Sequence, residues 1–329
     1  MISKAVVASQ VGRSKILYDA VVNCPLCSRQ LLGSKTLVTA VPDGETGLGT
    51  FDILLCEDCS FGVTSPSPTE ESLPRLYEQR SSSDFDAPSS PFIELLKDRL
   101  AFRSMKKLWR NLDCRPGLTC LDYGAGNGRF ALALSRLIPG SNVYAADFHE
   151  HRAPSLDKSI NYLSFDDLKN SAIKFDIIVQ RHVLEHVKNP VETLSFINER
   201  LNAGSIAYIE VPNFESAVNR IVGRRSPGWY VPRHLGHHSR ASLSKAVSLA
   251  CPNATWSVKK SNMPLMGNVV ADFLNKPRTS LFCKIAGIIL HPLQILSESL
   301  AGTSTCVYAL IRKASYPELL SENDSRVGA

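Results

Sequence analysis

An α/β fold, with a mostly parallel sheet covered by helices on both faces, is predicted for the larger part of this chain. Three observations predict it. Short apolar runs alternate with amphipathic stretches from residue 92 to 313, as in sheets built from strand–helix–strand units. A glycine-rich turn, Gly124-Ala125-Gly126-Asn127-Gly128, directly follows the first of those apolar runs. Ahead of this region, two Cys-x2-Cys pairs lie within the first 60 residues, the spacing of a small metal-bound ribbon.

At 329 residues there is room for one large unit and a small one. The apolar share of 44% and charged share of 21% are those of a globular protein with a real core. The formal charge of +6 admits an anionic small molecule, a nucleic acid or an acidic surface and selects none of them. Residues 1–17 carry scattered Lys and Arg without the apolar run of a secretory signal. The longest apolar stretch, 285–296, is interrupted by His291, Pro292 and Gln294, short of the roughly 20 residues of a spanning helix. A cytoplasmic location is the resulting expectation, with the nine cysteines as thiols or metal ligands.

Taken in order, residues 1–79 form an N-terminal region holding the ribbon at about 20–65. The serine- and proline-rich stretch 80–91 reads as a linker. Residues 92–112 place apolar side chains at helical spacing. Strands are predicted at 118–123, 142–148, 161–165, 175–180 and 205–211, with a helix over 130–138 after the glycine turn. Asn189 followed by Pro190 marks a helix start, and Val191, Leu194, Ile197 and Leu201 give that helix its apolar stripe. A helix at 241–250 and strands at 255–259 and 306–311 complete the sheet. The polar tail 314–329 reads as disordered.

The glycine turn narrows the chemistry. Glycines between a strand and a helix let backbone N–H groups approach a ligand at the helix N-terminus. A dinucleotide fingerprint would need glycine where this chain has Arg129. The form present is Asp122-x-Gly124-x-Gly126-x-Gly128, with an acid at the strand end. The second strand ends in Asp147, where an acid can accept hydrogen bonds from both hydroxyls of a ribose. Phe148 beside it is placed to pack on an adenine face. The competing reading is a Rossmann-like domain without a nucleotide.

On three blocks, LDYGAGNGRF, VYAADF and FDIIVQRHVLEHVKNP, the sequence resembles the class I methyltransferases that use S-adenosylmethionine. The last block is similar to the ubiquinone-biosynthesis and sugar methyltransferase branch. The resemblance spans about residues 118–213. It implies a Rossmann-like sheet, with Asp122, Gly124 and Gly126 at the amino-acid end of the cofactor. It further implies Asp147 on the ribose, Asp166 near the adenine amino group and Gln180 beside the methionine moiety.

Methyl transfer from a sulfonium is an in-line displacement, so positioning comes first, and a base is needed only where the nucleophile carries a proton. By the same resemblance Arg181 and His182 face the acceptor, with His182 as base candidate because imidazole titrates near neutral pH; a pocket-shaping role is the alternative. Glu185 and His186 read as helix packing. The cluster from Trp229 to Ser239, within a segment of about 214–240, reads as a cap over the acceptor, with Tyr230 and His234 as contributors. Where base N-methylating enzymes often end the fourth strand in an N/D-P-P-Y type motif, this chain has Gln-Arg-His-Val, which favours oxygen or carbon as the acceptor atom.

Cys24, Cys27, Cys56 and Cys59 form a tetrathiolate set that suits structural zinc, since four thiolates leave no open position. Disulfides or unrelated free thiols are the alternatives. Some sugar C-methyltransferases resemble this arrangement, with a small zinc-binding region and a run like Thr64-Ser65-Pro66-Ser67-Pro68 ahead of the catalytic domain. The remaining cysteines read as core positions.

The leading expectation is thus an S-adenosylmethionine-dependent enzyme acting on a small-molecule acceptor, such as a sugar, a glycan precursor or another metabolite. An RNA-modifying enzyme gripping nucleic acid through the ribbon ranks below it, because residues 24–61 are not notably basic. A non-catalytic interaction protein is a third reading. Residues 281–300 fit a helix packed on the sheet or a homodimer contact better than a membrane contact.

Overall fold

The computed structural model describes residues 7–11, 14–44, 47–78, 116–278 and 280–315, together with residues 95, 98, 99, 102, 103, 105 and 106. The predicted linker 80–91, nearly all of the polar tail and most of the 92–112 helix lie outside the described residues. Those described between 95 and 106 are helical, and Met105 among them is buried.

The N-terminal region holds more structure than a bare ribbon. Strands β1 (Val7–Val11), β2 (Ser14–Asp19), β3 (Thr36–Pro42), β4 (Thr50–Cys56), β5 (Phe61–Ser65) and β6 (Ser67–Pro68) precede a short helix α1 (Leu73–Glu78). β1, β2 and β6 form one small sheet, and β3, β4 and β5 belong to a second. The long interval between the two cysteine knuckles is therefore a hairpin, β3 paired antiparallel to β4.

The large sheet takes strands β7 (Thr119–Tyr123), β8 (Asn142–Asp147), β9 (Asn161–Ser164), β10 (Phe175–Arg181) and β11 (Leu201–Pro212), all parallel. Between them run α2 (Arg129–Leu137), α3 (Phe165–Asn170) and α4 (Pro190–Arg200). The Asn189 side chain accepts from the Glu192 N–H, and Pro190 begins the helix, where a missing N–H costs nothing. β11 starts at Leu201, directly out of α4 and earlier than predicted, because Leu201 is both the last residue of the helix stripe and a buried strand residue.

After β11 come α5 (Ala217–Val222), a two-residue strand β12 (Gly236–His237), α6 (Arg240–Ala250), β13 (Ala254–Ser261), α7 (Met266–Phe273), α8 (Leu281–Leu300) and β14 (Cys306–Lys313). The sheet order is β13-β14-β11-β10-β7-β8-β9, with β14 antiparallel to both neighbours. One face is covered by α4 and α6 through Leu194, Ile197, Leu243 and Val247. The other is covered by α2 through Ala131 and Leu134. This confirms the doubly covered α/β sheet.

Two placements were not foreseen. β12 leaves the large domain and pairs antiparallel to β5, Gly236 opposite Val63 and His237 opposite Gly62. The N-terminal core is completed by Trp229 and Val231, packed with Ile16, Tyr18, Phe51 and Ile53. The second is α8. It is not laid on the sheet; it packs on α7, where Gly267 and Gly287 bring the backbones together. Counting uninterrupted apolar residues also understated it, because the helix has 20 residues and is apolar and long enough to cross a membrane by length and composition.

Candidate active site

The glycine turn sits at the C-terminal edge of the parallel sheet, where ligands bind in such folds. Gly124 and Gly128 have φ of +78° and +77°. A Cβ on Gly124 would stand 2.2 Å from Val183 Cγ2, and one on Gly128 would stand 2.1 Å from Leu156 Cδ1. Both positions thus demand glycine for conformation and for space. Asp122 is buried at the end of β7, and its Oδ2 accepts from the Ala131 N–H at 2.9 Å, tying strand to helix. Burial pushes the Asp122 carboxyl up to about 7, against the hydrogen bond from Ala131 and the charge of Arg181, which lower it.

Asp147, at the tip of β8, accepts from the Gly126 N–H at 2.8 Å and from the Phe148 N–H at 2.8 Å. Phe148 is half-exposed, with its ring 5.4 Å from that of Tyr77 on α1. Asp166 is exposed in the first turn of α3, where Asp167 rather than Asp166 closes the capping box with Ser164. Tyr123 stacks on Phe165 at 4.5 Å, and burial raises its hydroxyl to about 12.

Gln180 carries the strongest signal for a polar ligand. Its amide is fully buried at the end of β10, and neither Oε1 nor Nε2 meets a hydrogen-bond partner in the protein. Buried amides are satisfied in nearly all native proteins, so this one suits a ligand that donates and accepts. With the glycine cradle and Asp147, these residues fit S-adenosylmethionine.

Beyond Gln180 the chain turns sharply. His182 has φ of +54°, and across the cleft Tyr230 has φ of +45°. A non-glycine residue in this region is strained, and such strain concentrates at functional sites. The two residues line a cleft of about 290 Å³ shared with Glu185, His186 and His234. The three acceptor-side residues named from sequence, His182, Tyr230 and His234, therefore share one cavity.

Their electrostatics differ. Burial lowers His182, but Glu185 Oε1 at 3.5 Å from Nδ1 and Glu210 Oε1 at 3.4 Å from Nε2 outweigh it and lift the imidazole to about 9. A value of about 9 leaves His182 charged and donating at neutral pH. His234 is pushed well below its ordinary value by burial, with further lowering from His186, His237 and His182, so it stays neutral. Glu185 and His186 are not helix-packing residues. They lie on a tight turn, Leu184–His186, whose Glu185 carboxylate is buried in the cleft wall. The His186 Nδ1 lies 2.9 Å from the Tyr77 hydroxyl. Glu185, His186 and His234 bring donor atoms within 4.8 Å of one another, a set with metal-ligand chemistry.

Arg181, expected beside the acceptor, does not line the cleft that His182, Tyr230 and His234 share. Its Nε donates to Glu210 at 2.8 Å, and its guanidinium lies 4.1 Å over the Phe130 ring. Sequence reasoning missed Glu210, which is buried in β11 and also accepts from Tyr208 and Ser261 at 2.6 and 2.7 Å. An acid inside the apolar run Ile206-Ala207-Tyr208-Ile209-Glu210-Val211 was its signal.

The four knuckle cysteines converge. Sγ of Cys24 lies 3.6 Å from that of Cys59, and Sγ of Cys27 lies 3.4 Å from that of Cys56. Tetrahedral Zn–S bonds of about 2.3 Å place sulfurs roughly 3.8 Å apart, so the set fits zinc closely. The hydrogen bond with Cys59 pulls the Cys24 thiol down to about 5, and the same contact pushes Cys59 up. Charging the whole set needs a cation among the sulfurs. Of the other cysteines, Cys120, Cys251, Cys283 and Cys306 are buried as expected, and Cys114 lies outside the described residues.

The ribbon and the cleft are stitched together. Thr64 of β5 donates to the His234 carbonyl at 2.6 Å and lies 2.9 Å from His237 Nε2. The Leu235 N–H donates to the Glu185 carbonyl at 2.8 Å.

Residues 93–250 match the family model described as a methyltransferase domain. The fold, the glycine turn and this match support a class I S-adenosylmethionine-dependent methyltransferase domain over those residues. Over 119 residues the chain is 33% identical to the mitochondrial ubiquinone biosynthesis O-methyltransferase of Saccharomyces cerevisiae, covering 33% of this chain and 38% of that protein. It is 27% identical over 128 residues to the ubiquinone biosynthesis O-methyltransferase of Roseobacter denitrificans, covering 36% of this chain and 51% of that protein. The chain thus spans about half or less of these curated relatives. Among solved structures it is similar to the plantazolicin methyltransferase BpumL in complex with a pentazolic desmethylPZN analog and SAH. There the identity is 17%, the coverage 75% of this chain and 100% of that one, and the TM-score 0.45. YcgJ from Bacillus subtilis is similar at 14% identity, covering 66% of this chain and 99% of that one, with a TM-score of 0.43.

Proposed function

We propose that this chain methylates a small molecule, at oxygen or carbon, with the acceptor seated between His182, Tyr230 and His234. The observation that carries the reading is the buried, unpartnered amide of Gln180, which pairs with Tyr123 just before the glycine turn and lies two residues before His182 of that cleft. The cofactor, when bound, supplies an electrophilic methyl on a sulfonium. Gly124 and Gly126 would hold its amino-acid end, Asp147 would exchange the Gly126 N–H for ribose hydroxyls, and Gln180 would orient the methionine part.

On the acceptor side the two histidines take opposite parts. Neutral His234 can accept a proton from the nucleophile as the bond to methyl forms. Protonated His182 can donate to the acceptor and fix its angle for in-line attack. Glu185, within 3.5 Å of His182 and 3.8 Å of His234, positions both rings. We further propose zinc at Cys24, Cys27, Cys56 and Cys59 in a structural role.

Calorimetric titration with S-adenosylmethionine and its demethylated product tests the reading. The wild type should bind both, and Asp147→Ala should weaken binding by at least about tenfold, as expected for two lost carboxylate hydrogen bonds. A folded wild type that binds neither would overturn it.

A further inference from the structure

Half of the eighteen large hydrophobic side chains exposed among the described residues lie on one helix, α8. Projected at 3.6 residues per turn, they share a single face that includes Ile285, Ile288, Ile289, Leu293 and Leu296. The amphipathic pattern is inverted. Two polar residues point inward: Gln294 accepts from the Leu265 N–H at 2.9 Å, and Glu298 accepts from the Ala217 and Val218 N–H groups at 3.0 and 3.1 Å. Phe273 and Leu274, at the end of α7, extend the exposed surface. A contiguous apolar patch of this kind on a folded protein marks an interaction surface.

The charge around the patch says what covers it. Arg220, Arg224 and Arg225 are exposed on and after α5, which packs against α8. At the other end, the Lys276 ammonium lies 5.4 Å from the Phe282 ring centre. Over 217–225 and 266–300 only two acids occur, Asp272, ion-paired with Arg278, and the buried Glu298. The hairpin that carries the apolar face and the α5 segment packed on it thus hold six cations, Arg220, Arg224, Arg225, Lys276, Arg278 and Lys284, against those two engaged acids. A second copy would bring like charges together, whereas an anionic lipid surface would neutralise them.

Spanning is ruled out by the packing. Withdrawing α8 into a bilayer would break the Gln294 and Glu298 hydrogen bonds and the Gly267–Gly287 contact, and would pull on β14 in the large sheet. The helix, about 30 Å long at 1.5 Å per residue, can instead lie flat with its free face down.

We propose that the α7–α8 hairpin docks this protein on an anionic membrane surface, α8 lying in the interface plane with Ile288, Ile289 and Leu293 among the acyl chains. This docking is independent of whether the chain transfers methyl groups. It differs from the expectation of a sheet-packed helix or a dimer contact, because the exposed face is opposite the one the protein buries.

Vesicle flotation of the full chain tests it, using phosphatidylcholine vesicles with and without phosphatidylglycerol. The wild type should float with the phosphatidylglycerol vesicles. Ile288→Glu/Ile289→Glu should lose at least about tenfold in bound fraction, as should Arg220→Ser/Arg224→Ser/Arg225→Ser. Circular dichroism and titration with the demethylated cofactor show that each variant is folded and report separately on the methyltransferase reading. The proposal is overturned by a wild type that does not float, or by Glu variants that float like it. It is equally overturned by a dimer in solution that Ile288→Glu/Ile289→Glu dissociates, with no lipid bound by the wild type.

Discussion

Replacing Gly124 with alanine would impose two separable costs at the cofactor turn. The residue sits at φ of +78°, a left-handed conformation costing a side chain roughly 1–2 kcal/mol. The new Cβ would also stand 2.2 Å from Val183 Cγ2, and forcing a methyl group into a filled site costs about 1–3 kcal/mol. Together these predict a loss of roughly 2–5 kcal/mol, a large part of the 5–15 kcal/mol stability of an ordinary domain. Two comparisons separate the costs. Gly33→Ala, at φ of +77° with nothing within 4 Å of its Cβ, should lose only the conformational part. Adding Val183→Ala to Gly124→Ala should recover the steric part, so the two substitutions are non-additive by about 1–3 kcal/mol. Urea unfolding measures the stabilities, and calorimetry with the demethylated cofactor should show weaker binding by Gly124→Ala even where it is folded. The reasoning fails if Gly124→Ala is as mild as Gly33→Ala, or if Val183→Ala recovers nothing.

The lifted His182 links stability to pH. Its folded value, about 9, lies above the ordinary 6.5, so its contribution is complete below about pH 6.5 and fades as pH rises towards 9. The change amounts to at most about 3 kcal/mol, reduced by screening because 27% of the side chain is exposed. Unfolding at pH 6 and pH 9.5 should reveal it, and His182→Gln should flatten the difference; an equal slope in both proteins refutes the assignment. Removing zinc with a chelator should melt the N-terminal sheets and, through β5 and β12, loosen the cleft. Fluorescence of Trp229, buried in that N-terminal core, should shift red, while cofactor affinity changes less than threefold, a bound set by the separate sheet that holds it. Purified protein that contains no zinc, or is indifferent to chelation, contradicts this.

What could be read in advance followed period and punctuation. β7, β8 and β10 are short apolar runs closed by Tyr123, Asp147 and Arg181, and Asn189-Pro190 announces α4. The N-terminal strands were harder, since their residues divide between two small sheets, and β12 is two residues long with no local signal at all. Its place is fixed by the long-range pairing of Gly236 with Val63. At the site, sequence could propose His182 and His234 but not their opposite protonation. That depends on Glu210, a strand away, and Glu185, both brought within 3.5 Å of His182 by folding. Helix α8 misled for another reason. His291, Pro292 and Gln294 read as breaks in an apolar run, although Gln294 anchors the helix to the protein.

The path of the chain between β13 and β14 gives the docking hairpin the character of a detachable cassette. Ser261 and Cys306 sit opposite each other in the antiparallel pair, so residues 262–305 leave the sheet and return to adjacent positions. A short turn could close that gap without altering any strand's register. The excision would leave the Ala217 and Val218 amides without Glu298, so a carboxylate grafted near Ser216 would be needed to keep α5 capped. In evolutionary terms, such a segment can be exchanged while the glycine turn keeps its framework, but each exchange reshapes the cleft, whose wall includes Met263, Leu265, Asn268 and Thr305.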